Sequence, residues 1–179
     1  MTFIIPPPGL ALCRRSRLNS NVRPHETQPA VDTLNMSLEP LERFVRAQDR
    51  DYSTALGELS AGRKRTHWIW FVLPQLRGLG HSQEAQDFGI ANAEEAAAYF
   101  AHPVLGPRLV ECVHTMLHHS PRVGATAILG SLDAVKFRSC LTLFSQVAPD
   151  EPSFAKALTA FYGDQPDYQT LRLLGRVAK

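Results

Sequence analysis

The fold is decided by residues 103–121, which read PVLGPRLVECVHTMLHHSP. Apolar side chains recur there at intervals of three and four residues, which is the spacing of one helix face. They are Leu105, Leu109, Val113, Met116 and Leu117. Pro103 suits a first turn, and Ser120-Pro121 ends the pattern. The stretch therefore predicts the longest helix of the chain.

The same periodicity continues on both sides of this stretch. Predicted helices start near Leu38 and after Asp51, and further ones cover 83–88, 93–101, 131–147, 154–161 and 167–174. Ser82, Asn92 and Asp167 are the expected N-caps, and Gly62 is expected to close a helix in a left-handed turn. About eight helices joined by short turns, with no internal repeat, predict a compact all-α single domain.

One segment, Trp68–Leu73, is apolar at all six positions and rich in residues that favour strands. No comparable second run exists to pair with it, and an isolated strand leaves its backbone hydrogen bonds unmade. We therefore expect a helix or an irregular buried segment. Six residues are also far fewer than the roughly 20 needed to cross a bilayer.

The composition is that of a single soluble globular domain of 179 residues, long enough to bury a core. Cys13, Cys112 and Cys140 are odd in number and irregularly spaced, which excludes a disulfide scaffold and a four-cysteine zinc site. We accordingly predict a cytoplasmic protein in a reducing compartment, with no metal and no cofactor.

The first 35 residues differ from the rest in charge and in proline content. They hold four arginines against two acidic residues and five of the 13 prolines; subtracting those charges leaves 15 basic and 15 acidic residues in 36–179. A neutral body lacks the basic face that duplex nucleic acid requires. We expect residues 1–35 to be a disordered tail or a non-native extension of the reading frame, and 36–179 to be the helical domain.

The main candidate site lies around the two tryptophans of the chain. His67, Trp68, Trp70 and Gln75 combine large aromatic faces with two polar side chains, as a pocket for a planar polar ligand requires. Lys64, in a basic trio just before them, is suited to a phosphate. The alternative interpretation is that the aromatic rings are core packing and the polar groups satisfy nearby backbone.

Lys136, Arg138 and Asp133 are charged residues of a predicted helix that we expect to face the His67 patch. Elsewhere the signals are weaker. His114 and His118 share a helix face, but two histidines do not make a metal site.

Residues 62–82, which read GRKRTHWIWFVLPQLRGLGHS, resemble the signature of domain-of-unknown-function family 1810. Later blocks at 95–96, 102–109 and 133–144 are similar too, so the resemblance covers about 39–175. Cys140 and Leu141 stand where the family's pattern has serine and methionine, a change that would shift a polar contact if that face lined a site. The resemblance implies an all-α fold and no activity. The calpastatin label of some members does not suit a periodic, core-rich domain.

Two functions stay open on the sequence alone. The first is a pocket that binds a planar, nucleotide-like small molecule near His67, with or without catalysis. The second is a helical protein–protein interaction module without catalytic activity, whose grooves receive a partner's helix or peptide. The oligomeric state is equally open, and we expect no membrane partner.

Overall fold

The computed structural model describes residues 39–120 and 122–176. Within them the secondary structure is helical apart from one isolated parallel bridge between Leu76 and Ile90. The α-helices are α1 (Glu42–Ser60), α2 (Ile69–Val72), α3 (Gln83–Asp87), α4 (Ala93–Ala101), α5 (Leu105–His119), α6 (Ala125–Leu129), α7 (Ser131–Val147), α8 (Pro152–Tyr162) and α9 (Tyr168–Leu173). The all-α prediction is confirmed; the expected tail at 1–35 lies outside the described residues.

The two helices predicted from Leu38 and after Asp51 form one continuous helix, α1. A 3-10 turn, Glu39–Leu41, precedes α1. Helix α1 has 19 residues and is therefore longer than α5, which has 15. The prediction that the longest helix begins at Pro103 is therefore wrong. The polar residues 48–51 within α1 include no glycine or proline that would end the helix. The Gln48 side chain is buried, and its Nε2 donates a hydrogen bond to the Phe71 carbonyl at 2.7 Å.

Most predicted helix ends are confirmed because the capping side chains make the expected bonds. Ser82 accepts from the Ala85 amide, Asn92 from the Glu95 amide, and Asp167 from the first turn of α9. Gly163 ends α8 in a left-handed conformation. The short helix α6, which the periodicity did not predict, leads into Gly130 at the start of α7.

The core is centred on α7, which packs against α4, α6, α8 and α9, while α5 packs against α1, α4 and α8. The Trp68–Leu73 segment becomes the short helix α2, mostly buried beside α1. Helices α4 and α5 meet where a Cβ added to Gly106 would lie 1.9 Å from the Phe100 carbonyl oxygen. No helix of the described ranges is long and apolar enough to cross a bilayer.

Two cysteines, Cys112 on α5 and Cys140 on α7, are buried free thiols in this core. Burial raises the pKa of Cys112 to about 12 and that of Cys140 well above its ordinary value. Cys140 and its neighbour Leu141 are both inaccessible, so the departures from the family's pattern fall in the core.

Candidate functional site

One carboxylate on α1 accepts three hydrogen bonds from the loop between α1 and α2. Glu58 Oε2 accepts hydrogen bonds from the amides of Arg65 and Thr66, at 2.8 and 3.1 Å, and from Trp68 Nε1 at 2.8 Å. Burial alone would raise the pKa of Glu58, but these donors outweigh it and lower the pKa to about 2. Glu58 thus fixes the loop that carries Lys64 and His67.

A second carboxylate joins this loop to the start of α7. Asp133 contacts the Lys64 ammonium through Oδ2 and the Lys136 ammonium through Oδ1, each at 2.7 Å. Burial would raise the pKa of Asp133, but the two lysines more than compensate, so the pKa lies below its ordinary value. Lys64 is the more enclosed lysine, with a side chain 8% exposed, and it also donates to the Thr66 carbonyl at 2.7 Å.

A cleft of about 420 Å³ opens beside this ion pair, between the loop and the first turn of α7. The Lys136 ammonium lies over the Trp70 ring, 4.4 Å from its centroid. The exposed His67 ring is within 28° of parallel to Trp70, with the centroids 6.4 Å apart. The lining residues are His67, Trp70, Leu129, Gly130, Ser131, Leu132, Asp133 and Lys136.

The structure brings together four of the six candidate residues. His67, Trp70 and Lys136 line the cleft, and Lys64 reaches it through Asp133. The other two, Trp68 and Gln75, do not line it: both side chains are buried, 1% and 7% exposed.

The reasons for these two departures are local. Trp68 precedes α2, and its indole is turned to Glu58 instead of the cleft. Gln75 lies beyond α2, and its backbone carbonyl accepts from the Ile90 amide at 2.9 Å next to the isolated bridge. The sequence places these residues near His67 along the chain, but the turn of α2 separates them in space.

At the start of α7, Gly130 and Ser131 are the cleft residues to which sequence reasoning gave no role. Gly130 precedes the helix with φ +83° and offers no side chain to cap it. Asp133 was expected to face His67, and it does; Arg138, expected there too, instead donates to the carbonyls of Gln165 and Pro166. The sequence signal that marks this helix start is Gly130 followed by Ser131, with the acidic residue Asp133 three positions after the glycine.

A larger groove, of about 660 Å³, lies on α5 and includes His114, His118 and Glu111. Glu111 is engaged there, since Tyr52 donates to its Oε2 at 2.6 Å. Among the residues described, no group of three or more His, Cys, Asp or Glu side chains is placed to hold a metal ion. We favour the smaller cleft as the functional site because an aromatic face, an ammonium group and a histidine converge in it.

Comparison with known proteins identifies the family. The family model described as "protein of unknown function (DUF1810)" matches residues 38–174. The chain belongs to this family. Among solved structures, the chain is similar to the conserved hypothetical protein Rv1873 from Mycobacterium tuberculosis, with 43% sequence identity and a TM-score of 0.71; the match covers 77% of this chain and 97% of that one. No curated protein shows significant similarity to this DUF1810 protein.

Proposed function

We propose that this DUF1810 protein binds a small planar molecule in the cleft between the α1–α2 loop and α7. The observation that carries the proposal is the pair of nearly parallel rings, His67 and Trp70, in a cavity that also contains the Lys136 ammonium. A cavity of about 420 Å³ is within the range of small-molecule sites.

The ring geometry suits an occupant with flat faces. The planes of His67 and Trp70 are 28° from parallel, and the exposed His67 side chain can rotate outward to admit a third ring against Trp70. Trp70 is the fixed wall, since it lies within the buried helix α2.

A second function, docking of a partner protein, has one observation in its favour. Leu132 and Val135 are 79% and 63% exposed on the first turns of α7, beside the cleft. Large apolar side chains that stand so far out of the surface are typical of protein contacts when they form a patch. Two side chains make a small patch, and we rank this function below ligand binding.

Calorimetric titration tests the proposal, with the four common ribonucleosides and their 5′-monophosphates as ligands. We expect at least one to bind to the native protein and the Trp70→Leu variant to lose that binding. His118→Gln is the matched control, because it alters the larger groove on α5 and leaves the cleft intact. Binding that survives Trp70→Leu but is lost in His118→Gln would move the site to the larger groove.

If none of the eight compounds binds, the planar ligand is not a nucleoside or a nucleotide. Native mass spectrometry of the purified protein then distinguishes the two functions: a small bound mass supports a ligand, whereas a specific protein adduct that Leu132→Ser removes supports docking.

A further inference from the structure

The charged residues of the domain are unevenly distributed, although residues 36–179 are neutral overall. Neither 59–83 nor 112–132 contains an aspartate or a glutamate. The first stretch includes Arg63 and Arg65, and the second includes Arg122. All three are exposed, and their guanidinium groups have no ion-pair partner among the described residues. We call these three residues the arginine patch.

Packing between α1 and α5 brings the two halves of the patch together. A Cβ added to Gly62 would lie 3.3 Å from Cε1 of His119, and Nε2 of His119 lies 2.9 Å from the Leu59 carbonyl oxygen. The Arg122 amide donates to the His119 carbonyl at 2.9 Å. The turn that carries Arg122 is therefore adjacent to the start of the loop that carries the other two arginines.

The loop turns one basic side chain inward and leaves its two neighbours outside. Lys64 is bonded to Asp133, and its side chain is 8% exposed. Arg63 and Arg65, on either side of it, are exposed. Two residues of chain span at most about 7 Å, so Arg65 lies next to His67 at the edge of the cleft. The patch and the cleft thus form one continuous surface.

This surface stays positive when the neighbouring carboxylates are included. Five cationic side chains, the patch together with Lys64 and Lys136, stand against three carboxylates, Glu58, Asp133 and Glu84. Glu58 and Asp133 are engaged by the loop and by the two lysines. Glu84, near the cleft, is exposed, so solvent screens its charge. The surplus of two positive charges therefore lies on the patch.

From this arrangement we infer that the protein binds single-stranded nucleic acid, with phosphates on the arginine patch and one base in the cleft beside Trp70. The inference rests on the proposed function, since the base is the planar group. Guanidinium groups that contact phosphates, together with aromatic rings that stack on bases, are typical of proteins that bind single strands. A duplex keeps its bases paired, and three arginines are fewer than the basic face that a duplex requires.

Fluorescence anisotropy with a labelled oligoadenylate of about eight nucleotides tests the inference. Residues 1–35 contain four arginines of their own, so the test compares variants within the full chain. Arg63→Gln and Arg122→Gln should each weaken binding about eightfold at about 50 mM salt, and the double variant about 60-fold, because each removes one phosphate contact. Each single variant should also reduce the slope of log affinity against log salt by about 0.7.

Two further variants complete the test. Trp70→Leu should weaken oligoadenylate binding at least about fivefold, because the stacking of one base is lost. Arg172→Gln is the matched control, since Arg172 is an exposed arginine on α9, outside the patch, and its loss should leave affinity unchanged. Affinity that is the same in Arg63→Gln, Arg122→Gln and the native protein would overturn the inference.

Competition distinguishes a single strand from other polyanions. A duplex of the same length and polyglutamate should each compete at least about tenfold less well than unlabelled oligoadenylate, because neither offers an unpaired base. Equal competition by polyglutamate would overturn the inference in favour of an acidic protein partner.

The two proposals fail in different ways. Nucleoside binding that Trp70→Leu removes, with oligoadenylate affinity that does not depend on the patch, keeps the planar site and refutes the single-strand inference. Oligoadenylate binding that depends on the patch but is unchanged in Trp70→Leu, with no affinity for any nucleoside, refutes the planar site and reduces the patch to a surface for polyanions.

Discussion

Replacing Glu58 by glutamine is the sharpest test of how the α1–α2 loop is held. The substitution keeps the size of the side chain but removes the charge that attracts three donors. A fall in pKa from 4.5 to about 2 corresponds to about 3 kcal/mol of stability at neutral pH. Because the carboxylate is partly open to solvent, we reduce this to about 1.5–2 kcal/mol.

The direction of the Glu58 pKa shift determines how the stability loss in Glu58→Gln varies with pH. The pKa of Glu58 is lower in the folded protein than in the unfolded chain, so its contribution is complete above about pH 4.5 and is lost as the pH falls toward 2. We expect Glu58→Gln to unfold at a melting temperature roughly 3–8 °C lower at pH 7. The gap between the two proteins should shrink below pH 4.5 and be nearly closed at pH 2.

Urea unfolding followed by circular dichroism at pH 7, 4 and 2.5 measures the difference in unfolding free energy between the two proteins. Glu94→Gln is the matched control, because Glu94 is an exposed carboxylate in the first turn of α4 and its neutralisation should change stability by only a few tenths of a kcal/mol. Equal stability of Glu58→Gln and the native protein at pH 7, or a gap as large at pH 2.5 as at pH 7, would refute the reasoning.

Three further predictions concern packing, the cleft and the chain's start. Gly106→Ala should lower the melting temperature by at least 10 °C or prevent folding, because its Cβ would overlap the Phe100 carbonyl; Gly57→Ala, with open space at its Cβ, should instead raise stability by about 0.5–1 kcal/mol. His67→Gln should leave the unfolding free energy within about 0.5 kcal/mol, since the ring is exposed, and weaken ligand binding in calorimetry; a loss of stability with unchanged affinity would contradict the proposal. A chain that starts at Met36 should keep its melting temperature to within a few degrees, because residues 1–35 lack an apolar period.

Much of the fold is readable from the sequence because local signals mark it. Ser82, Asn92 and Asp167 each precede an apolar period, and each makes the bonds of an N-cap. The predicted break within α1 was wrong for a tertiary reason, since Gln48 interrupts the apolar pattern yet is buried against Phe71 and Tyr99. A polar residue bonded in the core cannot be told from a surface residue by periodicity alone.

The site was harder to predict because its parts meet only in three dimensions. His67 and Trp70 were recognisable as an aromatic and polar pair, but the direction of each neighbouring side chain depends on α2. Glu58 lies in a helix whose apolar residues have ordinary spacing, so no sequence pattern indicates that its carboxylate binds the loop. Asp133 is 69 residues from Lys64 along the chain, and no local pattern predicts their contact.

Burial in the core protects the thiols of Cys112 and Cys140 from covalent modification. Burial raises the pKa of Cys112 to about 12, so far less of it is a reactive thiolate at neutral pH than the few per cent of an exposed cysteine. Alkylating reagents and peroxides should therefore leave Cys112 and Cys140 untouched until the core around α5 and α7 opens. In a Cys13→Ser variant, the rate of alkylation would report how often these helices open, which gives a kinetic measure of the core that needs no ligand.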